Sequence, residues 1–133
     1  MSKNCVFAGQ RPALSLPVPA GTKSGSPVLV GAIVGVCEGD RRELVSGVQY
    51  GTVSSPDGYA PVAPDGTYAL SVADAVAAVG TKIYIVAADN SLTTTAGSNV
   101  LFGTTVPVID KGVASGATKA SGAGTVNVQI ATV

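Results

Sequence analysis

The residues able to do chemistry are few, and their spacing argues against most of it. The 133-residue chain has no histidine, so it lacks the commonest general base near neutral pH and the commonest nitrogen ligand for metals. Neither a Ser-His-Asp nor a Cys-His arrangement can be built without one. Its two cysteines, Cys5 and Cys37, stand far apart and make no zinc-ligand spacing. The Gly-rich piece GAIVGVCEG (residues 31–39) has neither the Lys-Ser/Thr of a phosphate loop nor G-x-G-x-x-G spacing. No long helix follows it to hold a phosphate at its N-terminus, so strand glycine is the ordinary explanation.

Asp57 and Asp65 each sit in a Pro-Asp-Gly, where Asp initiates a turn and Gly accepts a positive φ. As an acid/base pair they would have to come within about 5–10 Å of each other, and they are too sparse for a calcium loop. Tyr50, Tyr59, Tyr68 and Tyr84 have no basic or aromatic neighbours in sequence, which favours core or interface packing over stacking on sugars or bases. No catalytic, cofactor-binding or metal-ligating residue is assigned, and no cofactor is expected. The densest charge is EGDRRE (residues 38–43). It reads either as a solvated turn or as a salt-bridge rim at a subunit contact formed by Glu38, Asp40, Arg41, Arg42 and Glu43.

The elements that position these residues follow from composition. Hydrophobic residues make up 46% of the chain and charged residues 12%, about half of the roughly 25% charged share of average domains. The apolar content is Val and Ala, which favours sheet. Eight basic and eight acidic residues cancel, and only Arg41 and Arg42 are adjacent cations, so a phosphate-tracking nucleic-acid surface is not expected. With little repulsion to oppose association, much of the surface is expected to lie against partners.

The run PVLVGAIVGVC (residues 27–37) is little more than half of the about 20 residues that a spanning helix needs, so no membrane segment is expected. Residues 1–21 lack the sustained apolar core of a signal peptide, which points to a protein cytosolic at synthesis with reduced thiols. The run reads instead as two short strands around Gly31. GTYALSV (66–72) puts Tyr68, Leu70 and Val72 on one face. TKIYIVAADNSLTTTA (81–96) is a hairpin with Asp-Asn-Ser turn chemistry. ELVSGVQYGTV (43–53) alternates loosely, while NVLFGTTVPVI (99–109) and GTVNVQIATV (124–133) complete the strands.

Two stretches read as loops: SSPDGYAPVAPDG (54–66), and the flexible, small-residue DKGVASGATKASGAG (110–124). Only VADAVAAVG (72–80) could be helical. The expected fold is all-β, a small barrel or sandwich of short antiparallel strands with at most one short helix. Residues 1–19 form an N-terminal arm or added edge strand, and residues 20–133 a single β domain.

Several of these segments resemble a family of tailed-bacteriophage capsid decoration, or cement, proteins. AGTKSGSPVLVGAIVGV (20–36) is similar to the family's Ser-Gly-x-Pro turn, Val-rich strand, Gly and second strand ending Gly-Val. VGTKIYIVAADNSLTTTAGSNVLFGTTV (79–106) is similar to its hairpin, Leu-Thr-Thr-Thr return and Leu-x-Gly strand, and GTVNVQIATV to its closing strand. Residues 37–79 carry an Asp-Gly loop and an extra strand beyond that pattern and stay unassigned.

The resemblance implies a structural protein and not an enzyme. It would be held on the outer surface of the virion capsid, often as a trimer, stabilising contacts between major capsid subunits. It also implies a capsid-contacting arm, with Val6 and Phe7 as apolar anchors, Lys3 and Arg11 as polar ones, and Pro12 and Leu14 beside them. The expected partners are the major capsid protein and further copies of the chain, with no direct nucleic acid and no membrane. For the arm, a disordered terminus is the competing reading. Another virion or surface β module, such as a tail, fibre or pilus subunit, is the alternative, ahead of a carbohydrate-binding module, which should present an aromatic platform.

Overall fold

The computed structural model describes residues 3–52 and 55–131, and every regular element among them is a strand. In chain order these are β1 (Cys5–Ala8), β2 (Leu14–Pro17), β3 (Pro27–Val30), β4 (Ile33–Cys37), β5 (Glu43–Val45), β6 (Val48–Tyr50) and β7 (Tyr59–Ala63). There follow β8 (Gly66–Ser71), β9 (Lys82–Ile85), β10 (Leu92–Thr93), β11 (Val100–Thr105), β12 (Val108–Asp110), β13 (Val113–Ser115) and β14 (Thr125–Ile130). A six-stranded antiparallel sheet has the order β1-β8-β14-β11-β9-β10, and a four-stranded one the order β2-β7-β4-β3. Both curl as half-barrels, as expected for a small barrel or sandwich. Among the described residues the hairpins β5–β6 and β12–β13 pair only with themselves. Among the described residues no helix is long and apolar enough to cross a membrane.

The apolar run at residues 27–37 is the β3–β4 hairpin, with Val30 opposite Ile33 and Gly31 turning at φ 61°, the position where a two-residue turn of this kind takes glycine. It lacks alternation because both faces of its sheet are covered. Val34 and Val36, with Ala63 of β7, pack onto Tyr68, Leu70, Ile83, Ile85, Phe102, Val126 and Val128 of the large sheet. On the other face Val28, Cys37, Ala60 and Val62 form a second cluster with Val18. In the large sheet the period-two pattern holds: Tyr68 and Leu70 in β8, and Val126, Val128 and Ile130 in β14, are all buried. At Gly103 the pairing of β11 with β9 shifts register, and a Cβ there would run into the Gln129 carbonyl of β14.

Three segments differ from expectation. Residues 54–66 are not simply a loop, for they contain β7, which lies between β2 and β4; Pro61 disguises it, because proline inside a run argues against a central strand. Residues 72–80 form no helix. Val76 instead makes an antiparallel bridge to Lys119, with both backbone bonds at 2.9 Å, and Val72 and Val76 point into the core. Residues 110–124 contain the end of β12 and all of β13, and Lys119 Nζ donates to the carbonyls of Asp74, Ala120 and Gly122 at 3.2, 2.6 and 2.8 Å.

The Leu-Thr-Thr-Thr return has a specific partner in Asp74. One carboxylate oxygen accepts Thr93 Oγ1 at 2.6 Å, Thr94 N at 3.0 Å and Thr94 Oγ1 at 3.3 Å, tying β10 to the extended segment after β8. The Thr93 hydroxyl first, and then the Thr94 N–H, hold the Asp74 carboxyl below its ordinary range.

Two predictions follow from this packing. Phe102→Ala, which opens a cavity at a fully buried site, lowers stability by about 3–5 kcal/mol in denaturant unfolding. Asp74→Ala costs about 1–2 kcal/mol, in the range of a hydrogen-bonded charged group that is only partly buried. Because the folded carboxyl titrates below the unfolded one, its stabilisation is full above the ordinary Asp range and fades as pH falls through the lowered value. The gap between wild type and Asp74→Ala therefore closes in acid and is constant near neutrality.

Candidate docking surface

The carboxylates that were candidates for chemistry are occupied with structure. The exposed Asp57 carboxylate lies 3.4 Å from Nε of the half-buried Arg42. Asp65 accepts the N–H groups of Gln10 at 3.2 Å and Arg11 at 3.3 Å. Asp89 closes the β9–β10 turn by accepting Ser91 N and Oγ at 3.0 and 2.7 Å, and these bonds hold its carboxyl below the usual range. Cys37 is fully buried, and burial, helped by Asp40, pushes its thiol up to about 11, so it stays protonated and unreactive at neutral pH. Burial, with Cys5 beside it, likewise pushes the Tyr68 hydroxyl up to about 12. Among the described residues no three metal-ligating side chains of the His, Cys, Asp or Glu type come together. A shallow groove of about 320 Å³ is lined by Pro19, Thr22, Pro27, Ala88, Asp89 and Asn90 among others, and a second recess of about 380 Å³ by Lys3, Asn4, Ser24, Gly25 and Ser26. The first holds one carboxylate, Asp89, already bonded to Ser91, and the second one amine, Lys3.

The N-terminal segment is placed by pairing and pins. β1 runs along β8 with a bulge between Cys5 and Phe7, and β2 runs along β7 from Leu14 opposite Val62 to Pro17 opposite Tyr59. One stretch of chain therefore supplies an outer strand to each sheet, and among the described residues each of these strands has one unpaired edge. Asp65 fastens the reversal between them, and Gly9 is required there because a Cβ would collide with the Asp65 carboxylate. Asn4 joins β8 to the turn that leads into β3, its Nδ2 donating to Gly25 O at 3.0 Å and Ala69 O at 3.1 Å. Of the expected contact residues, Phe7 is 53% and Leu14 41% exposed. Lys3, Arg11 and Pro12 are exposed and Val6 is half-buried.

The charged cluster at 38–43 is half-buried and bonded within its own chain. Arg41 pairs with Glu43 at 3.2 Å and donates from Nε to Val18 O at 3.0 Å. Glu43 accepts Gly21 N at 3.3 Å, and Asp40 accepts Ser24 N at 2.8 Å with Lys23 at 4.0 Å. Arg42 reaches Ser55 O at 3.1 Å, while Glu38 N donates to Pro61 O at 2.8 Å. These bonds root the β5–β6 hairpin.

Residues 43–53, read from sequence as loosely alternating strand, fold back as that hairpin, and β12–β13 is a second one formed from the end of the expected strand 99–109 and the start of the expected loop 110–124. In both, a non-glycine residue with positive φ precedes a glycine at the tip: Ser46 and Gly47 at 51° and 82°, Lys111 and Gly112 at 51° and 80°. This is the two-residue turn whose twist matches antiparallel strands. Ser-Gly between Val45 and Val48 and Lys-Gly between Asp110 and Val113 were the available signals. Both hairpins hold apolar side chains in solvent: Leu44, Val48 and Tyr50 on the first, Ile109 and Val113 on the second.

Comparison with known proteins returns one family. A family model for the phage cement protein matches residues 8–130. No curated protein and no solved structure matches the chain. The chain belongs to the phage cement protein family, and with that goes a structural role in association with a phage capsid.

Proposed function

We propose that this cement protein lies on the outer face of the phage head and ties neighbouring major capsid subunits together, acting by adhesion and not by catalysis. The observation that carries this reading is the N-terminal strap. Residues 5–17 give each sheet an outer strand with an unpaired edge, and Phe7 and Leu14 stand exposed on those strands. An unpaired edge accepts a partner strand through main-chain hydrogen bonds, while alternate side chains fill pockets and set specificity. Lys3, Val6, Arg11 and Pro12 flank the same edges. The strap is held in shape before binding by Asp65 and Asn4, so less ordering cost falls on the contact. Many copies on one shell add by avidity.

Copies of the chain meet one another on the shell as trimers, with Glu38, Asp40, Arg41, Arg42 and Glu43 as the proposed contact. The internal bonds of that cluster fix its shape, and the exposed pair Lys23–Asp40 with the half-buried Arg42 reaching the exposed Asp57 suits a polar rim. No cofactor, nucleic acid or membrane enters this mechanism.

Deleting residues 1–16 would strip an edge strand from each sheet together with the Asn4 bridge, so point substitutions are the cleaner probe. Phe7→Ser with Leu14→Ser leaves the melting temperature of the free protein within a few degrees and weakens cosedimentation with heads lacking this protein by about tenfold or more. Asp65→Ala, which releases the Gln10 and Arg11 N–H groups, weakens binding through a looser strap while leaving Phe7 and Leu14 in place. Unchanged binding by both variants would remove the strap from the contact.

A further inference from the structure

The two free-standing hairpins are built as wedges. Residues opposite each other in an antiparallel pair share a face, and the next pair takes the other face. In β5–β6 the register puts Tyr50 and Val48 on one face and Leu44 with Gln49 on the other. In β12–β13 it puts Val108 and Val113 on one face and Ile109 with Ala114 on the other. Leu44 is 64% exposed, Ile109 and Val113 65% each, so apolar surface is offered on both sides of both hairpins. A two-stranded hairpin alone is marginal in water, and exposed apolar clusters mark contacts. A flat partner covers one face only. Two apolar faces are covered together when the hairpin enters a crevice with a wall on each side.

The hairpins also leave the sandwich at opposite ends of β9. β12 follows β11, whose Thr104 lies opposite Lys82 at the start of β9, with Gly80 N bonded to Thr105 O at 2.9 Å. The far end of β9 leads into residues 87–90, which share a groove with residues 19–22, Ser26 and Pro27. Beside these lies the root of β5–β6, where Arg41 N bonds Thr22 O at 3.0 Å. That root is stiff, because a Cβ on Gly51 would run into the Arg41 backbone and Arg41 is locked to Glu43 and Val18. Apolar side chains are thus held out in solvent on a fixed mount. Neither of the two recesses described above gathers large apolar side chains, so at those two places a second copy offers Ile109 and Tyr50 no matching slot.

We infer that β5–β6 and β12–β13 are two gripping elements at opposite ends of the molecule, each entering an apolar seam between adjacent shell subunits, so that a single copy bridges two seams. The inference rests on the shell-binding reading proposed above. It adds to the strap a second kind of contact, driven by burial of side chains where the strap works through its main chain.

The test uses full-length protein and phage heads lacking it, with threonine substitutions, which keep a strand-favouring residue at each site while removing most of its apolar surface. Leu44→Thr and Tyr50→Thr address the two faces of the first hairpin, Ile109→Thr and Val113→Thr those of the second. The free variants should match wild type in melting temperature and sedimentation, and each should cosediment with heads about fivefold to tenfold more weakly. A variant combining Tyr50→Thr with Val113→Thr should no longer protect heads against heat release of DNA. Wild-type protein that does not bind heads would overturn the shell-binding reading and this inference with it. Wild-type binding matched by all four variants would overturn the inference alone, as would a loss confined to one hairpin or one face. A changed sedimentation of the free variants would assign the hairpins to a second copy and overturn it equally.

Discussion

The structure depends on one contact, the packing of Val34, Val36 and Ala63 of the four-stranded sheet onto the apolar face of the six-stranded sheet around Tyr68, Phe102 and Val128. A chain with 12% charged residues and two phenylalanines has little else with which to build a core, and small β-branched side chains suit a close sheet-on-sheet layer. The contact also explains why the four-stranded sheet carries so little alternation. Its inner face is buried by the large sheet, and on its other face Val28, Cys37, Ala60 and Val62 are buried together with Val18, so both residue sets along β3 and β4 are apolar.

Once the two sheets are fixed, their rims become the problem. Unpaired strand edges invite association, and here one segment, residues 5–17, takes the outer position in both sheets. Asn4 and Asp65 hold that segment with side-chain bonds to backbone groups. Cys5 packs against the core beside Tyr68, so the strap is part of the fold as well as its rim. The remaining polar groups serve the same end: the bonds that Asp74, Asp89, Arg41 and Lys119 make are bonds that hold loops, and the family to which the chain belongs is one of structural capsid components. Adhesion needs a stiff body with exposed edges and apolar prominences, and that is what the core supports.

Much of the architecture was legible in the sequence where local signals agreed with the tertiary outcome. β8, β14 and the β9–β10 hairpin follow period two and turn chemistry, and Gly31 marks the turn between β3 and β4. β7 was not legible, because Pro61 interrupts its pattern and both of its faces are covered by elements remote in sequence. The segment at 72–80 had the composition of a helix, but its extended shape is set by the bridge to Lys119, which no local pattern announces. The docking surface was legible in part. Phe7 and Leu14 stand exposed, yet nothing local shows that Asp65 would reach back across the chain to Gln10 and Arg11. Glu38 to Glu43 read as a charge cluster, while its role as a hairpin root comes from contacts with Val18, Gly21 and Ser55.

The central claim is adhesion to a shell through the rims of this sandwich. The most direct measurement is a reconstruction of the phage head at side-chain resolution. The account predicts this chain on the outer face, with the free edge of β1 or β2 hydrogen-bonded to a strand of the major capsid protein. Heads whose outer surface lacks the chain, or carries it with both edges turned to solvent, would contradict it.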